Sequence, residues 1–291
     1  MPTTVNGGFD LFVSRLTPSS AEATAASSHR SSVEGKLKNS FGVSNFFGTG
    51  SRESGTSVRY YSDLDYFASI PTQNQRNDSA YMLRLVKEQL QERFPSTTIY
   101  VDTPAVVCAF GQDGKDKIEV VPAYYTGRDD SDKFNIYKIP EIGGGWVKSS
   151  PSVHNGYVTG VNNKLDKKVK QLIRLMKAVR YYNNIPISSF YLELRIAKWA
   201  STESSILYSY DVRTMLKHLV DCELANMRDP MGISGLVPAS NTETYRQDAL
   251  SKLKTALTRA NNARDAEEAG RISLSFDWWD KVYNGQFPAY G

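Results

Sequence analysis

Two aspartates separated by one residue are the side chains of this sequence best suited to chemistry. Asp63 and Asp65 lie in the run Ser-Asp-Leu-Asp-Tyr-Phe. If this run is a strand, both carboxylates lie on one face and Leu64 points into the core. Adjacent carboxylates repel unless a cation lies between them, and Mg²⁺ binds carboxylate oxygens together with phosphate oxygens. The pair therefore predicts a site for divalent metal ions.

A turn upstream of the aspartates has the composition of a phosphate-binding element. Phe46 and Phe47 read as a short strand and lead into residues 48–51, Gly-Thr-Gly-Ser. A helix that starts at Gly50-Ser51 would offer backbone N–H groups and a hydroxyl to a phosphate. An Asp-x-Asp alone is also typical of a solvated loop. Combined with this turn, it predicts phosphoryl or nucleotidyl transfer by the two-metal route.

The amino-acid sequences of the two motifs together resemble those of a known family. Gly-Ser-Arg-Glu-Ser-Gly-Thr at 50–56, followed by Ser-Asp-Leu-Asp-Tyr-Phe at 62–67, is similar to nucleotidyltransferases of the polymerase-beta type. Within that superfamily the chain resembles the bacterial CD-NTases, relatives of cyclic GMP-AMP synthase and oligoadenylate synthase that make cyclic oligonucleotide signals in anti-phage defence. Ile-Pro-Glu-Ile-Gly-Gly-Gly-Trp at 139–146, followed by Pro and His, adds to the resemblance. It implies an α+β fold: a nucleotidyltransferase lobe with a mixed β-sheet, a C-terminal helical lobe, and an active site in the cleft between them.

A third carboxylate is expected from a neighbouring strand, where it would bind the metal that activates the attacking hydroxyl and help to take its proton. The run from Lys117 to Tyr125 reads as a strand in which Glu119 points away from its apolar neighbours. Its context, Ile-Glu-Val-Val-Pro-Ala, resembles the family pattern, although Asp is more usual there. The alternatives are an exposed strand glutamate, or Asp113 or Asp116 as the third acid. The resemblance implies two Mg²⁺ or Mn²⁺ ions held by Asp63, Asp65 and Glu119.

Further nucleotide contacts follow from the resemblance. The Gly50 backbone and Ser51 would hold the donor phosphates, and Lys177, in a leucine-rich helix, would reach the triphosphate. For most of the other basic residues from 164 to 180, a solvated helix face is the better interpretation. Ser188 and Ser189 open the next helix. Ordinary N-capping and phosphate contact are both open readings for them, and Ser189 fits the family pattern better.

The elements that must position these residues divide the chain into three parts. Residues 1–39 are predicted to form N-terminal bracing helices, 8–17 and 18–39, the second capped by Ser19 or Ser20. Residues 40–160 form the nucleotidyltransferase core, with a helix capped by Asp78 or Ser79 and ending near Phe94, and strands at 97–101 and 105–110. Residues 134–160 read as a long connection between the lobes, and 161–291 as a helical domain that is already helical from about residue 162.

Composition limits the function classes. The net charge of +4 permits a polyphosphate ligand without demanding nucleic acid, so no nucleic-acid template is expected. Two cysteines give no disulfide framework, which favours the cytoplasm, and the three histidines lack metal-ligand spacing, which argues against zinc. Neither a signal peptide nor a membrane span is expected.

The resemblance implies an enzyme that joins NTPs, ATP and/or GTP, into a cyclic di- or trinucleotide with release of pyrophosphate; a downstream effector would sense the product. Alternatives are a superfamily enzyme that makes linear 2′–5′ oligonucleotides or modifies RNA or protein, and an inactive nucleotide-binding module. In related defence operons, CD-NTases are conjugated through a C-terminal glycine or alanine. Gly291 is therefore a candidate site for an operon-encoded conjugating enzyme.

Overall fold

The computed structural model describes residues 1–18, 27–59, 64–111 and 116–291. The predicted cap at Ser19 or Ser20, the predicted ligand Asp63 and its competitor Asp113 lie outside the described residues. The helices are α1 (Val5–Leu16), α2 (Ser27–Phe41), α3 (Gly50–Glu53), α4 (Ser79–Arg93), α5 (Pro151–Lys164), α6 (Val169–Tyr182), α7 (Ser189–Ala200), α8 (Tyr208–Asp221), α9 (Glu243–Glu268) and α10 (Ile272–Val282). The strands are β1 (Asn45–Gly48), β2 (Leu64–Ser69), β3 (Thr98–Asp102), β4 (Ala105–Phe110), β5 (Asp116–Arg128), β6 (Asn135–Pro140), β7 (Trp146–Ser149), β8 (Met227–Arg228) and β9 (Leu236–Val237).

Seven of the described strands form one mixed sheet. Its order is β1-β2-β5-β4-β3, and β6 pairs with β5 and then with β7. The β2–β5 pair is parallel and the other pairs are antiparallel. The long strand β5 is therefore the centre of the sheet: its first half pairs with β2 and β4, and its second half pairs with β6. The α+β fold class predicted from the sequence is confirmed.

Two large hydrophobic cores organise the described residues. The sheet core lies on one face of the sheet, where α2 and α4 cover even-numbered strand residues such as Ala68 and Val120. The helical core is built from α1 and from the helices after β7. Val58, although close to β2 in sequence, is fully buried in the helical core. Residues 54–59, which follow α3, therefore enter the helical half of the protein.

The interpretation of residues 134–160 as a long connection is wrong. This region contains β6, β7 and most of α5, which extend the sheet and begin the helical core. Gly143 and Gly144 have φ angles of 97° and 91°, so these glycines form the tight β6–β7 turn. Pro151 occupies the first turn of α5, where proline is favoured because no N–H is needed there. Glycine and proline here mark the ends of short elements.

Two helix boundaries also differ from prediction. The first helix starts at Val5, before residue 8, because Thr4 caps it by accepting a 3.1 Å hydrogen bond from the Gly7 N–H. The helix expected from residue 162 is interrupted between α5 and α6, where Asp166 and Lys167 have φ angles of 51° and 62°. By contrast, the cap at Asp78 is as predicted, since its carboxylate accepts a 2.8 Å hydrogen bond from the Tyr81 N–H.

The predicted division at residues 39 and 160 stays a prediction. Residue 160 lies inside α5, and the two N-terminal helices pack on different cores, α1 on the helical core and α2 on the sheet core. None of the helices in the described part of the chain has the length and hydropathy needed to cross a lipid bilayer.

Candidate active site

The turn at Gly50 lies directly against Asp65. The Thr49 N–H donates a 2.8 Å hydrogen bond to the Asp65 carbonyl, which fastens the start of α3 to β2. Gly50 has a φ of 66°, and a Cβ added there would lie 1.8 Å from the Asp65 carboxylate oxygen Oδ2. Only glycine fits this position, for its backbone conformation and for its space. The carboxylate and the N-terminal end of α3 therefore share one small region.

Asp65 and Glu119 are neighbours across the parallel pair β2–β5. They are Cα partners in the register, and adjacent strands lie about 4.8 Å apart. Leu64 is buried on the other face, in the sheet core, as the alternation of the sequence predicted. Glu119 likewise lies between the buried residues Ile118 and Val120. Both carboxylates are therefore on the face of the sheet that α2 and α4 do not cover.

The donor set fits a hard divalent ion. Two carboxylates on adjacent strands supply the oxygen ligands that Mg²⁺ and Mn²⁺ prefer, and their mutual repulsion favours a cation between them. Among the described residues there is no cluster of three or more His, Cys, Asp or Glu side chains arranged for a metal. The third predicted ligand, Asp63, lies outside those residues, so the three-acid site stays a prediction.

Lys177 is placed in α6 beside the segment that follows α3. Its side chain is 1% exposed and makes an ion pair with Glu193 of α7. Its ammonium also donates a 3.0 Å hydrogen bond to the Thr56 hydroxyl, and that hydroxyl donates a 2.5 Å hydrogen bond to Glu193. Sequence reasoning missed Thr56 and Glu193. The sequence did contain a signal for Glu193, because it is the only acidic residue of α7 and follows a run of apolar residues near the start of that helix.

The interpretation of the other basic residues of this region as a solvated face is wrong for Arg174. Arg174 is 5% exposed and belongs to the same side of α6 as Lys177, three residues away. Burial lowers the pKa of its guanidinium from the ordinary value. Lys170, one turn before Arg174, is half-buried, and burial lowers the pKa of its ammonium as well. This side of α6 therefore carries cationic side chains that are packed against the protein and are not fully solvated.

At the start of α7 the structure separates the two predicted serines. The Ser188 hydroxyl is the cap and accepts a 3.3 Å hydrogen bond from the Tyr191 N–H. Ser189 is the first helical residue, so its hydroxyl is not needed for capping. Phe190 follows with 38% of its surface exposed, and its ring packs edge-on against His154. The helix N-terminus, a hydroxyl and an exposed aromatic ring thus occur together.

A buried His–Asp pair orders the loop between β8 and β9. His154 Nε2 lies 2.8 Å from Asp229 Oδ2, which also accepts hydrogen bonds from the backbone N–H groups of Ile233 and Ser234. These hydrogen bonds hold the pKa of Asp229 down to about 2 in spite of burial. No role for His154 was evident from the sequence.

The predicted conjugation site, Gly291, lies against the N-terminus of the chain. Its N–H is 3.3 Å from the Pro2 carbonyl oxygen.

Comparison with known families gives one match that covers more than half of the chain. Residues 3–162 match the Second Messenger Oligonucleotide or Dinucleotide Synthetase domain, SMODS. A curated protein of Bacillus cereus (strain VD146), named a probable cyclic nucleotide synthase, is 24% identical over 208 residues. That alignment covers 70% of this chain and spans 58% of the length of the Bacillus protein.

Solved structures with the same fold cover most of the chain. CdnC of Escherichia coli MS115-1, solved with ATP, has a TM-score of 0.72 at 19% identity and covers 98% of this chain and 99% of its own. CdnE of Elizabethkingia meningoseptica, a cyclic dinucleotide synthase solved with GTP and Apcpp, has a TM-score of 0.62 at 17% identity, with 86% and 96% covered. DncV of Vibrio cholerae, a cyclic AMP-GMP synthase, has a TM-score of 0.63 at 15% identity, with 84% and 69% covered.

Proposed function

The chain belongs to the SMODS family of second messenger oligonucleotide or dinucleotide synthetases, and from this premise we propose that it is a metal-dependent nucleotidyltransferase that makes a cyclic di- or trinucleotide from NTPs. Each transfer releases pyrophosphate. The observation that carries the proposal is the register of β2 and β5, which pairs Asp65 with Glu119 beside the Gly50 turn. ATP and GTP are the proposed substrates, in line with the nucleotides present in the CdnC and CdnE structures.

The acids have distinct roles in this proposal. Asp63, Asp65 and Glu119 hold two Mg²⁺ or Mn²⁺ ions, which when bound lower the pKa of the attacking hydroxyl and neutralise charge on the α-phosphate and the departing pyrophosphate. Glu119 lies directly across the parallel pair β2–β5 from Asp65. In this proposal it binds the metal that activates the attacking hydroxyl and helps to take the proton of that hydroxyl.

The donor phosphates bind at the turn. The Gly50 backbone and the Ser51 hydroxyl hold the inner phosphates at the start of α3, and Ser189 contacts the outer phosphates from the start of α7. Lys177 is the second outer-phosphate contact. Its ammonium has three N–H donors, of which Glu193 and Thr56 take two, so the third is the donor proposed for a phosphate oxygen. Phe190 offers the base an exposed aromatic face beside Ser189.

The decisive experiment is product analysis. The purified protein is incubated with four labelled NTPs and Mg²⁺ or Mn²⁺, and the products are treated with phosphatase and identified by mass spectrometry. A phosphatase-resistant cyclic product is expected from the wild type and is absent from Asp65→Asn. Asp116→Asn is the matched control and is expected to retain activity, because Asp116 is an exposed acid three residues before Glu119 on β5 and so lies on the other face of the sheet. Linear products, or product formation by Asp65→Asn, would contradict the proposal.

In the cell we propose that the enzyme acts in the cytoplasm in anti-phage defence, that an effector senses its product, and that a conjugating enzyme acts at Gly291. Intact-mass measurement after co-expression with an operon-encoded conjugating enzyme tests the last point. A high-mass adduct is expected for the wild type and not for Gly291→Glu. The absence of an adduct from the wild type would refute it.

A further inference from the structure

Arg174 is a buried charge held by backbone oxygens. Its Nε donates a 2.8 Å hydrogen bond to the Ser57 carbonyl, its Nη2 donates a 2.9 Å hydrogen bond to the Gly55 carbonyl, and its Nη1 binds the Gln171 side chain. Among the described residues it has no carboxylate partner. Burial of a guanidinium costs free energy unless its N–H groups have hydrogen-bond acceptors. These three contacts supply the acceptors and so allow the charge to be buried.

The two carbonyls that Arg174 holds flank a single residue, Thr56. The Thr56 N–H donates a 2.8 Å hydrogen bond to the Ser51 carbonyl, and the Ser54 N–H donates a 3.1 Å hydrogen bond to the Gly50 carbonyl. The peptide that Arg174 fixes is therefore one hydrogen bond away from the predicted phosphate-binding turn. A shift of this peptide moves Ser51, because α3 is only four residues long and has no rigidity of its own.

The same peptide also carries the contacts of the second buried cation. The Thr56 hydroxyl joins Lys177 and Glu193, and it lies 2.8 Å from the Ser54 hydroxyl. Arg174 and Lys177 thus approach Thr56 from one face of α6, one through its flanking carbonyls and one through its side chain. This arrangement connects the helical core to the turn at the sheet through fixed hydrogen bonds.

We propose that Arg174 is a positioning residue for the donor site: from α6 it fixes the Gly55 and Ser57 carbonyls and so sets the backbone of the turn that contains Gly50 and Ser51. Arginine suits this role because its planar fork spans two acceptors, which a lysine ammonium on a flexible stem cannot do in one geometry. The inference rests on the proposed function, since the turn matters only if it binds a donor nucleotide.

The test compares Arg174→Lys with Arg259→Lys. Arg259 also donates to a backbone carbonyl, that of Lys281 at 2.7 Å, but this exposed hydrogen bond joins α9 to α10. For each variant we would measure amide hydrogen exchange over residues 48–58, calorimetric affinity for a non-hydrolysable ATP analogue with Mg²⁺, and KM and kcat. Arg174→Lys is expected to speed exchange at Thr56 and to weaken analogue binding and raise KM by about tenfold, with a smaller change in kcat. Arg259→Lys should match the wild type in all three.

The outcomes separate this inference from the proposed function. Wild-type exchange at residues 48–58 together with wild-type affinity in Arg174→Lys would overturn the positioning role, as would faster exchange spread evenly over the whole chain. If the wild type itself does not bind the analogue, the proposed function fails, and the exchange comparison still decides whether Arg174 sets the turn. If Arg174→Lys does not fold, Gln171→Leu, which removes one guanidinium partner, is the substitute. It should give smaller changes in the same direction, and unchanged exchange and affinity in that variant would overturn the role.

Discussion

The carboxylates of the sheet and the cations of α6 are held in different ways. Asp65 and Glu119 lie side by side because the backbones of β2 and β5 are in register, and both stay partly accessible. Arg174 and Lys177 are almost completely buried and are held by side-chain hydrogen bonds and ion pairing. The first arrangement places two like charges side by side, where a divalent cation would offset their repulsion. The second satisfies charges within the protein and uses them to fix a backbone segment.

If the acids act through charge rather than packing, removing one should affect catalysis and leave folding intact. Asp65→Asn is expected to lower kcat by about 10²–10⁴-fold, because metal binding and activation of the hydroxyl are lost. Its melting temperature should stay close to that of the wild type, because asparagine keeps the shape of the side chain. Pyrophosphate release and thermal unfolding measure the two effects, and Asp116→Asn is the control. A large loss of stability in Asp65→Asn would contradict the view that this acid serves catalysis and not folding.

The cations should respond in the opposite manner. Glu193→Ala leaves the Lys177 ammonium buried without its carboxylate, which costs about 3–5 kcal/mol of the free energy of unfolding. Urea unfolding measures this cost. Glu243→Ala, which removes the partner of Arg246 at the surface, is the matched control and should leave the free energy of unfolding nearly unchanged. Equal effects of the two substitutions would contradict the role assigned to the buried pair.

The close approach of Gly50 to Asp65 can be tested on its own. Gly50→Ala places a methyl group where the Asp65 carboxylate lies, so the acid or the turn must move. A displacement of about 1 Å lowers catalysis by about 10²-fold. Gly270→Ala is the control, because Gly270 also has a positive φ, 71°, but a Cβ there would meet nothing within 4 Å. Steady-state kinetics of both variants, corrected for the folded fraction, separate the clash from the backbone strain that they share.

The smallest expected effect concerns a carboxylate of the helical core. Hydrogen bonds from His154 and from backbone N–H groups hold the pKa of Asp229 at about 2, below its ordinary 3.8. The lowered pKa means that this stabilisation is complete above about pH 4 and is lost as the pH falls towards 2, and it amounts to about 2 kcal/mol. Asp229→Asn should therefore be less stable at pH 6 and lose less stability on acidification than the wild type. Parallel acid-unfolding curves for the two proteins would refute the assignment.

Much of the fold could be predicted from local patterns. Alternation of apolar residues predicted β5 and the orientation of Glu119, and the cap at Asp78 predicted the start of α4. The same rules failed at residues 134–160, because Gly143, Gly144 and Pro151 lie at the ends of short elements, and local composition does not distinguish this from a loop. The predicted resemblance to second-messenger synthetases is confirmed by the family match over residues 3–162.

By itself the sequence indicated which residues could carry the chemistry. These are the aspartate pair, the Gly-Ser turn and a third acid on a strand whose apolar residues alternate. Only the tertiary structure decided which of these groups are neighbours. Periodicity assigns a side chain to a face of its element but cannot give the register of β2 against β5, which depends on pairing between segments distant along the chain. For the same reason periodicity could not predict that Arg174 and Lys177, in a helix rich in charges, are buried and bind the segment that follows the Gly50 turn.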